Sequence, residues 1–170
     1  MKTLGCIALA ALLALAACKA PPAPAPTAGR DLYPAPAQAR SDLDAALKTA
    51  AATHKRILVD FGGNWCGDCQ VLDLYIHDAE NRPLLENNFV LVHVNIGRMD
   101  ANLDIADQYG VPVRHGVPAL AVLGDDGTLL YSQRGGEFDS MRTMQPSAVT
   151  SFLEQWRPTH PGCSTQAVNC

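Results

Sequence analysis

Cys66 and Cys69 stand one helical turn apart in Trp65-Cys66-Gly67-Asp68-Cys69. A strand-like run, Ile57-Leu58-Val59-Asp60-Phe61, leads into them, and a helix-like run, Val71-Leu72-Asp73-Leu74-Tyr75-Ile76, leads away. A thiol placed where a helix begins faces unpaired backbone N–H groups and the positive end of the helix dipole. Both favour thiolate, so the thiol pKa falls and a nucleophile is present at neutral pH. A second thiol one turn on can attack the mixed disulfide that the first one makes. The chemistry these residues suit is two-cysteine thiol–disulfide exchange. A structural disulfide or half a metal site is the alternative. Zinc usually takes four ligands, and no second Cys-x-x-Cys or histidine pair follows at finger spacing. Residue 70 is Gln and not His, so the haem-attachment pattern fails. No metal and no bound cofactor are expected.

The elements that must position these thiols can be read from periodicity. Ser41-Asp42-Leu43-Asp44 has the form of a capping box. Leu43, Ala46, Leu47, Ala50 and Ala51 then mark one helical face. Ile57 to Phe61 predicts a buried strand, and a helix runs from the cysteines to about His77. Pro83 to Asn87 predicts a further turn or two. Phe89 to Ile96 is β-branched and strand-like. Asp100 can cap a helix carrying Leu103, Ala106 and Tyr109 and stopped by Gly110. Gly124-Asp125-Asp126-Gly127 between two apolar runs predicts a β-hairpin, Ala119 to Leu123 with Thr128 to Ser132. Val149, Phe152, Leu153 and Trp156 predict a last amphipathic helix ended by Pro158. Strands alternating with helices give an α/β fold: a mixed sheet with a parallel core and an antiparallel hairpin at one edge, flanked by helices.

The two ends of the chain read differently. Residues 1–17 have Lys2 as a positive n-region, an apolar run from Leu4 to Ala14, and small residues before Cys18. This is signal-peptide form, too short for a spanning helix. Leu15-Ala16-Ala17-Cys18 resembles the bacterial lipobox, which makes Cys18 the expected lipidation site; an ordinary secretory signal is the alternative. Lys19 replaces the aspartate that retains such proteins at the inner membrane, so outer-membrane anchoring in the periplasm-facing cell envelope is favoured. Residues 18–40 are Pro/Ala-rich and are expected to be a tether. Residues 41–158 suit one domain, and 159–170 form a tail with Cys163 and Cys170. In an oxidising compartment those two cysteines could close a structural disulfide, or they could stay unpaired. The 13 Lys and Arg against 17 Asp and Glu, without a basic run, give no footprint for nucleic acid.

Val59-Asp60-Phe61 before Trp65-Cys66-Gly67-Asp68-Cys69, Tyr109-Gly110-Val111, Gly116-Val117-Pro118-Ala119, and Gly135 after the hairpin together resemble the thioredoxin fold over about residues 41–157. Asp78 to Asn95 is most similar to the thioredoxin-like domains of bacterial periplasmic thiol reductants. The resemblance implies that Cys66 attacks and Cys69 resolves. It implies that Asp60, buried below them, assists proton transfer to the resolving thiol; burial without a partner would raise its pKa and suit a general base. A strand-end aspartate bonded to backbone is the alternative. It implies a cis Pro118 that holds the Val117 backbone open to a substrate strand. Trp65, Gly67 and Asp68 would complete the substrate-facing surface, and Gly135 would let a substrate chain approach. His93 falls where the family carries a lysine that can pair with the aspartate, or else it points to solvent. No role is assigned to His115.

Three departures from the family pattern stand out. Gly62 replaces an aromatic residue, which predicts a thinner wall. Gly67-Asp68 replaces Gly-Pro, and Asp68 puts a carboxylate beside the reactive sulfur. Like charge disfavours thiolate and leans the centre towards reduction. Pro112-Val113-Arg114-His115 lengthens the approach to Pro118. The expected activity is thiol:disulfide exchange with disulfide-bearing envelope proteins, more reducing than oxidising, recharged by an upstream thiol donor such as a transmembrane reductase. A non-catalytic binding or chaperone-like module and copper handling by the two cysteines are the alternatives.

Overall fold

The computed structural model describes residues 30–159. The central strand is β1, Arg56–Gly62, whose residues are buried from Ile57 onward. Strand β2, Phe89–Asn95, pairs with it in parallel, with Asp60 opposite His93. Strand β3, Ala119–Leu123, pairs with it on the other side in antiparallel register, with Asp60 opposite Leu120. Strand β4, Leu129–Ser132, closes the hairpin through Gly124–Gly127. The sheet order is β2-β1-β3-β4. The sheet is mixed, as expected, but its parallel part is the single β1–β2 pair.

Side chains alternate across a strand, and both faces of β1 are covered. Ile57, Val59 and Phe61 face one core, with Leu43, Ala46 and Ala50 of α1 (Ala39–Thr53) and Ile105 and Ala106 of α4 (Leu103–Gln108). Leu58 faces the other core, with Leu72 and Ile76 of α2 (Gly67–Ile76), Leu85 of α3 (Asn81–Asn88), and Val149, Phe152 and Leu153 of α5 (Pro146–Trp156). Each fully buried Val, Leu, Ile or Phe side chain among them contributes about 1.5–3 kcal/mol. The two cores hold β1 fixed, so the turn at its C-terminal end has a rigid base.

Two helix starts differ from the sequence reading. Helix α1 begins at Ala39, ahead of Ser41, after a short 3-10 turn at Pro36–Gln38. The Ser41 hydroxyl donates to the Gln38 carbonyl and caps no N–H group. Helix α4 is entered through Asn102, at φ 53°, and not through Asp100. The Asp100 carboxylate instead accepts the Arg98 N–H in the preceding turn. The run from Pro83 forms a separate helix, α3.

Residues 30–38, expected within the tether, lie against the domain. The Asn64 side chain accepts the Leu32 and Tyr33 N–H groups, both at 2.9 Å, and donates to the Tyr33 carbonyl at 2.9 Å. Gln70 accepts from Arg30 N and donates to Arg30 O, at 3.1 and 2.9 Å. Asn95 and Asn102 donate to the carbonyls of Pro34 and Pro36. Proline-rich backbone keeps its carbonyls free for such donors, which composition alone does not reveal. The signal region, Cys18, Cys163 and Cys170 lie outside the described residues.

Candidate active site

The turn from β1 into α2 carries Cys66 as the N-cap of the helix. Its Sγ accepts the Cys69 backbone N–H at 3.1 Å. A helix start leaves such donors unpaired unless a cap takes them, and here the cap atom is the sulfur. Cys66 and Cys69 form a disulfide with Cα atoms 5.3 Å apart. Cys66 is 5% exposed and Cys69 fully buried. The outer sulfur is therefore the one a second protein can reach.

Across from Cys66 runs the loop before β3. The Val117–Pro118 peptide is cis, and the Val117 carbonyl oxygen lies 3.4 Å from Cys66 Sγ. The buried Gln133 side chain fixes this loop from behind: it donates to the Pro118 carbonyl and accepts the Leu120 N–H, both at 3.2 Å. A shallow groove runs between the two parts, lined by Trp65, Cys66, Gly67, Asp68, Val117 and Arg142, among others. His115, in a 3-10 turn at Val113–His115 within the lengthened loop, also lines it. Gly135 is not among the lining residues, and its N–H donates to Glu137 at 3.1 Å. Trp65 is half exposed at the rim; its Nε1 donates to the Gly97 carbonyl at 2.5 Å, and the Arg98 guanidinium lies over its ring.

Asp68 is not the free carboxylate the sequence reading assumed. The Arg142 backbone N–H donates to it at 2.9 Å and Arg142 Nε reaches both its oxygens at 3.1 Å. Arg142 Nη2 adds an ion pair at 2.9 Å. The hydrogen bond and the carboxylate charge hold the Arg142 pKa above its ordinary value. A charge paired in this way repels a neighbouring thiolate weakly. The argument from Asp68 to a reducing centre therefore fails.

Below the sulfurs lies a polar cluster. Asp60 is 1% exposed in the middle of β1. Its Oδ2 accepts the Tyr33 hydroxyl at 2.6 Å and faces His93 Nδ1 at 3.0 Å. Its Oδ1 is buried and has no hydrogen-bond partner among the described residues. The carboxylate is thus partnered on one oxygen only, by Tyr33 and by His93, the pairing the sequence reading had left open. The Tyr33 and His93 rings meet edge to face at 5.0 Å. Burial, with the charges of Asp60 and Asp73 and the Asp60 hydrogen bond, pushes the Tyr33 pKa well above its usual value. For His93, burial lowers the pKa, but the Asp60 hydrogen bond and the charges of Asp60 and Asp73 raise it more, and it stands above its ordinary value. His93 thus pairs with Asp60 and does not point freely to solvent.

Gly62 has a direct structural reason. A Cβ there would lie 2.4 Å from the Tyr33 oxygen and 2.7 Å from Cys69 Sγ. The wall expected to be thin is filled by Tyr33, which arrives from outside the region that resembles the family. Asn64, Gln70, Gln133 and Arg142 also support the site and were missed. The one available signal was amide side chains flanking the cysteines, at Asn64 and Gln70.

The Thioredoxin-like family model matches residues 38–124. The thiol:disulfide interchange protein DsbD of Pseudomonas fluorescens is 30% identical over 126 residues, which cover 70% of this chain and 19% of that protein. The chain therefore spans about a fifth of that relative's length. The crystal structure of a disulphide isomerase from Xylella fastidiosa Temecula1 superposes with a TM-score of 0.70 at 33% identity, covering 74% of this chain and 96% of that one. With a mixed sheet, a Cys-x-x-Cys turn capping a helix, and a cis-proline loop facing it, the chain belongs to the thioredoxin-like family.

Proposed function

We propose that this protein is a cell-envelope thiol:disulfide oxidoreductase that reduces or exchanges protein disulfides. One observation carries the reading: Cys66 Sγ caps α2 and accepts the Cys69 N–H, which favours thiolate at the outer, reachable sulfur. In the cycle, Cys66 thiolate attacks a substrate disulfide, forms a mixed disulfide and releases one substrate thiol. Cys69 then attacks Cys66, forms the intramolecular disulfide and expels the second substrate thiol. Val117, beside the cis Pro118, offers backbone to an extended substrate segment, and Trp65, Gly67 and Asp68 with Arg142 form the opposite rim. Asp60 serves proton transfer at Cys69.

Support for the reducing or exchanging direction comes from the relatives, one named for interchange and one for isomerisation. Both reactions begin with a reduced attacking thiol. An upstream thiol donor, such as a transmembrane reductase, would return the pair to that state. The envelope location rests on the signal-like residues 1–17 and the lipobox-like Cys18. Residues 19–29 would then be the tether, and Cys163 with Cys170 a separate disulfide.

Insulin reduction tests the reading. The protein with an excess of small thiol should accelerate precipitation of the insulin chains, and Cys66→Ser should be no faster than the small thiol alone. A wild-type rate equal to that of the small thiol would favour a binding module.

A further inference from the structure

Three features converge on one spot that the exchange reaction leaves unexplained. Tyr33 is 3% exposed and comes from a segment outside the sheet and its helices. Its hydroxyl donates to Asp60 at 2.6 Å, and the absent Cβ of Gly62 leaves that hydroxyl and Cys69 Sγ converging on the same point. His93, 17% exposed, touches the same Asp60 oxygen from the solvent side. The segment is fixed by five amide hydrogen bonds from groups on either side of the cysteines: three between Asn64 and Leu32 and Tyr33, and two between Gln70 and Arg30. An aromatic side chain held only for packing does not need a hydroxyl there, and this one is buried, bonded to Asp60 and set beside the inner sulfur.

We propose that the Tyr33 hydroxyl is the proton relay between Cys69 and the Asp60–His93 pair. The proposal rests on the thiol-exchange reading above. In the mixed disulfide, the Cys69 thiol proton passes to the Tyr33 oxygen as the Tyr33 proton passes to Asp60 Oδ2. The Cys69 sulfur then bonds to Cys66 Sγ. The bond between Cys66 and the substrate sulfur breaks, and its electron pair leaves on the substrate sulfur, which takes a proton from solvent. The two cysteines are oxidised and the substrate disulfide is reduced. The relayed proton rests on the Asp60–His93 pair and leaves through the part-exposed imidazole. Tyr33 acts in the second step and has no part in the first. The charged groups around it are Asp60 on β1, His93 on β2, and Asp73 on α2 with its partners Arg30 and His77.

The aromatic disulfide 5,5′-dithiobis(2-nitrobenzoate) separates the two steps. The reduced full chain, with Cys6, Cys18, Cys163 and Cys170 replaced by serine so that only the pair reacts, releases one coloured thiol when Cys66 attacks and a second when Cys69 resolves. Tyr33→Phe keeps the ring and removes the hydroxyl. We expect its first phase to match wild type and its second to slow by roughly a hundredfold, at the low end of proton-transfer effects. The slow phase should recover as pH rises and Cys69 ionises unaided. Combining Tyr33→Phe with Asp60→Asn should slow the second phase little beyond either change alone, as for groups in one relay. An unchanged second phase in Tyr33→Phe would overturn the proposal, the proton then going straight to Asp60 Oδ1. Equal slowing of both phases would overturn it too, showing a packing role. A wild type lacking any rapid first phase would overturn the exchange reading itself.

Discussion

At the residue scale, the site depends on what single atoms are given to bond to. Cys66 Sγ receives a backbone N–H, Asp68 receives a guanidinium, and Asp60 receives a phenol and an imidazole. The last of these sets a pH dependence. The folded His93 pKa lies above the unfolded value because Asp60 outweighs burial. The contribution of the His93–Asp60 pair to stability is therefore fully present below the unfolded pKa of about 6.5 and is lost as pH rises through the higher folded value. Urea unfolding of the oxidised protein should show stability falling over that interval. His93→Gln should lose that fall. Parallel pH curves for the two proteins would show that His93 does not titrate against Asp60. Asp60, Cys66 and Cys69 were legible in the sequence because each is an unusual residue in a regular element. Tyr33 was not, because a lone tyrosine between prolines carries no period, and the residue that makes room for it, Gly62, lies 29 positions away.

At the scale of elements, the segment 30–38 behaves as part of the domain without being helix or strand for most of its length. Its register is set by side-chain amides, and Asn64 supplies three of those bonds. Removing them with Asn64→Ala leaves the Tyr33 N–H without its partner and the Leu32 N–H with the Arg30 carbonyl alone. Each net hydrogen bond is worth about 0.5–1.5 kcal/mol, so the segment should loosen while the sheet stays intact. Hydrogen exchange should show faster exchange at Leu32 and Tyr33 and unchanged protection in β1 and β3. Unchanged protection at Leu32 and Tyr33 would mean that Tyr33 alone holds the segment. The strands and the long helices were readable because burial imposes a period of two or of 3.6 residues. The entry points of α1 and α4 were not. Ser41 and Asp100 have capping chemistry, but the docked segment extends α1 backwards to Ala39, and Asn102 takes the left-handed position before α4.

At the scale of the molecule, two cores fix β1, β1 fixes the turn, and the turn places one sulfur outward and one inward. The opposing loop is held by Gln133, and the rim is closed by Arg142 from beyond the hairpin. These supports come from residues 64 to 76 positions away from the cysteines, a distance over which local sequence pattern carries no information. The fold class was legible because Cys66, Gly110 and Pro118 recur at the joints of a known architecture. The pairing of Asp68 was not, and with it went the argument about direction. The central claim of the proposed cycle is a stabilised thiolate at Cys66, which caps α2. Its direct measure is the rate of iodoacetamide alkylation of Cys66 against pH, on the reduced protein. The account predicts a midpoint clearly below the value of about 8.5 for a free thiol. A midpoint at or above that value would contradict it.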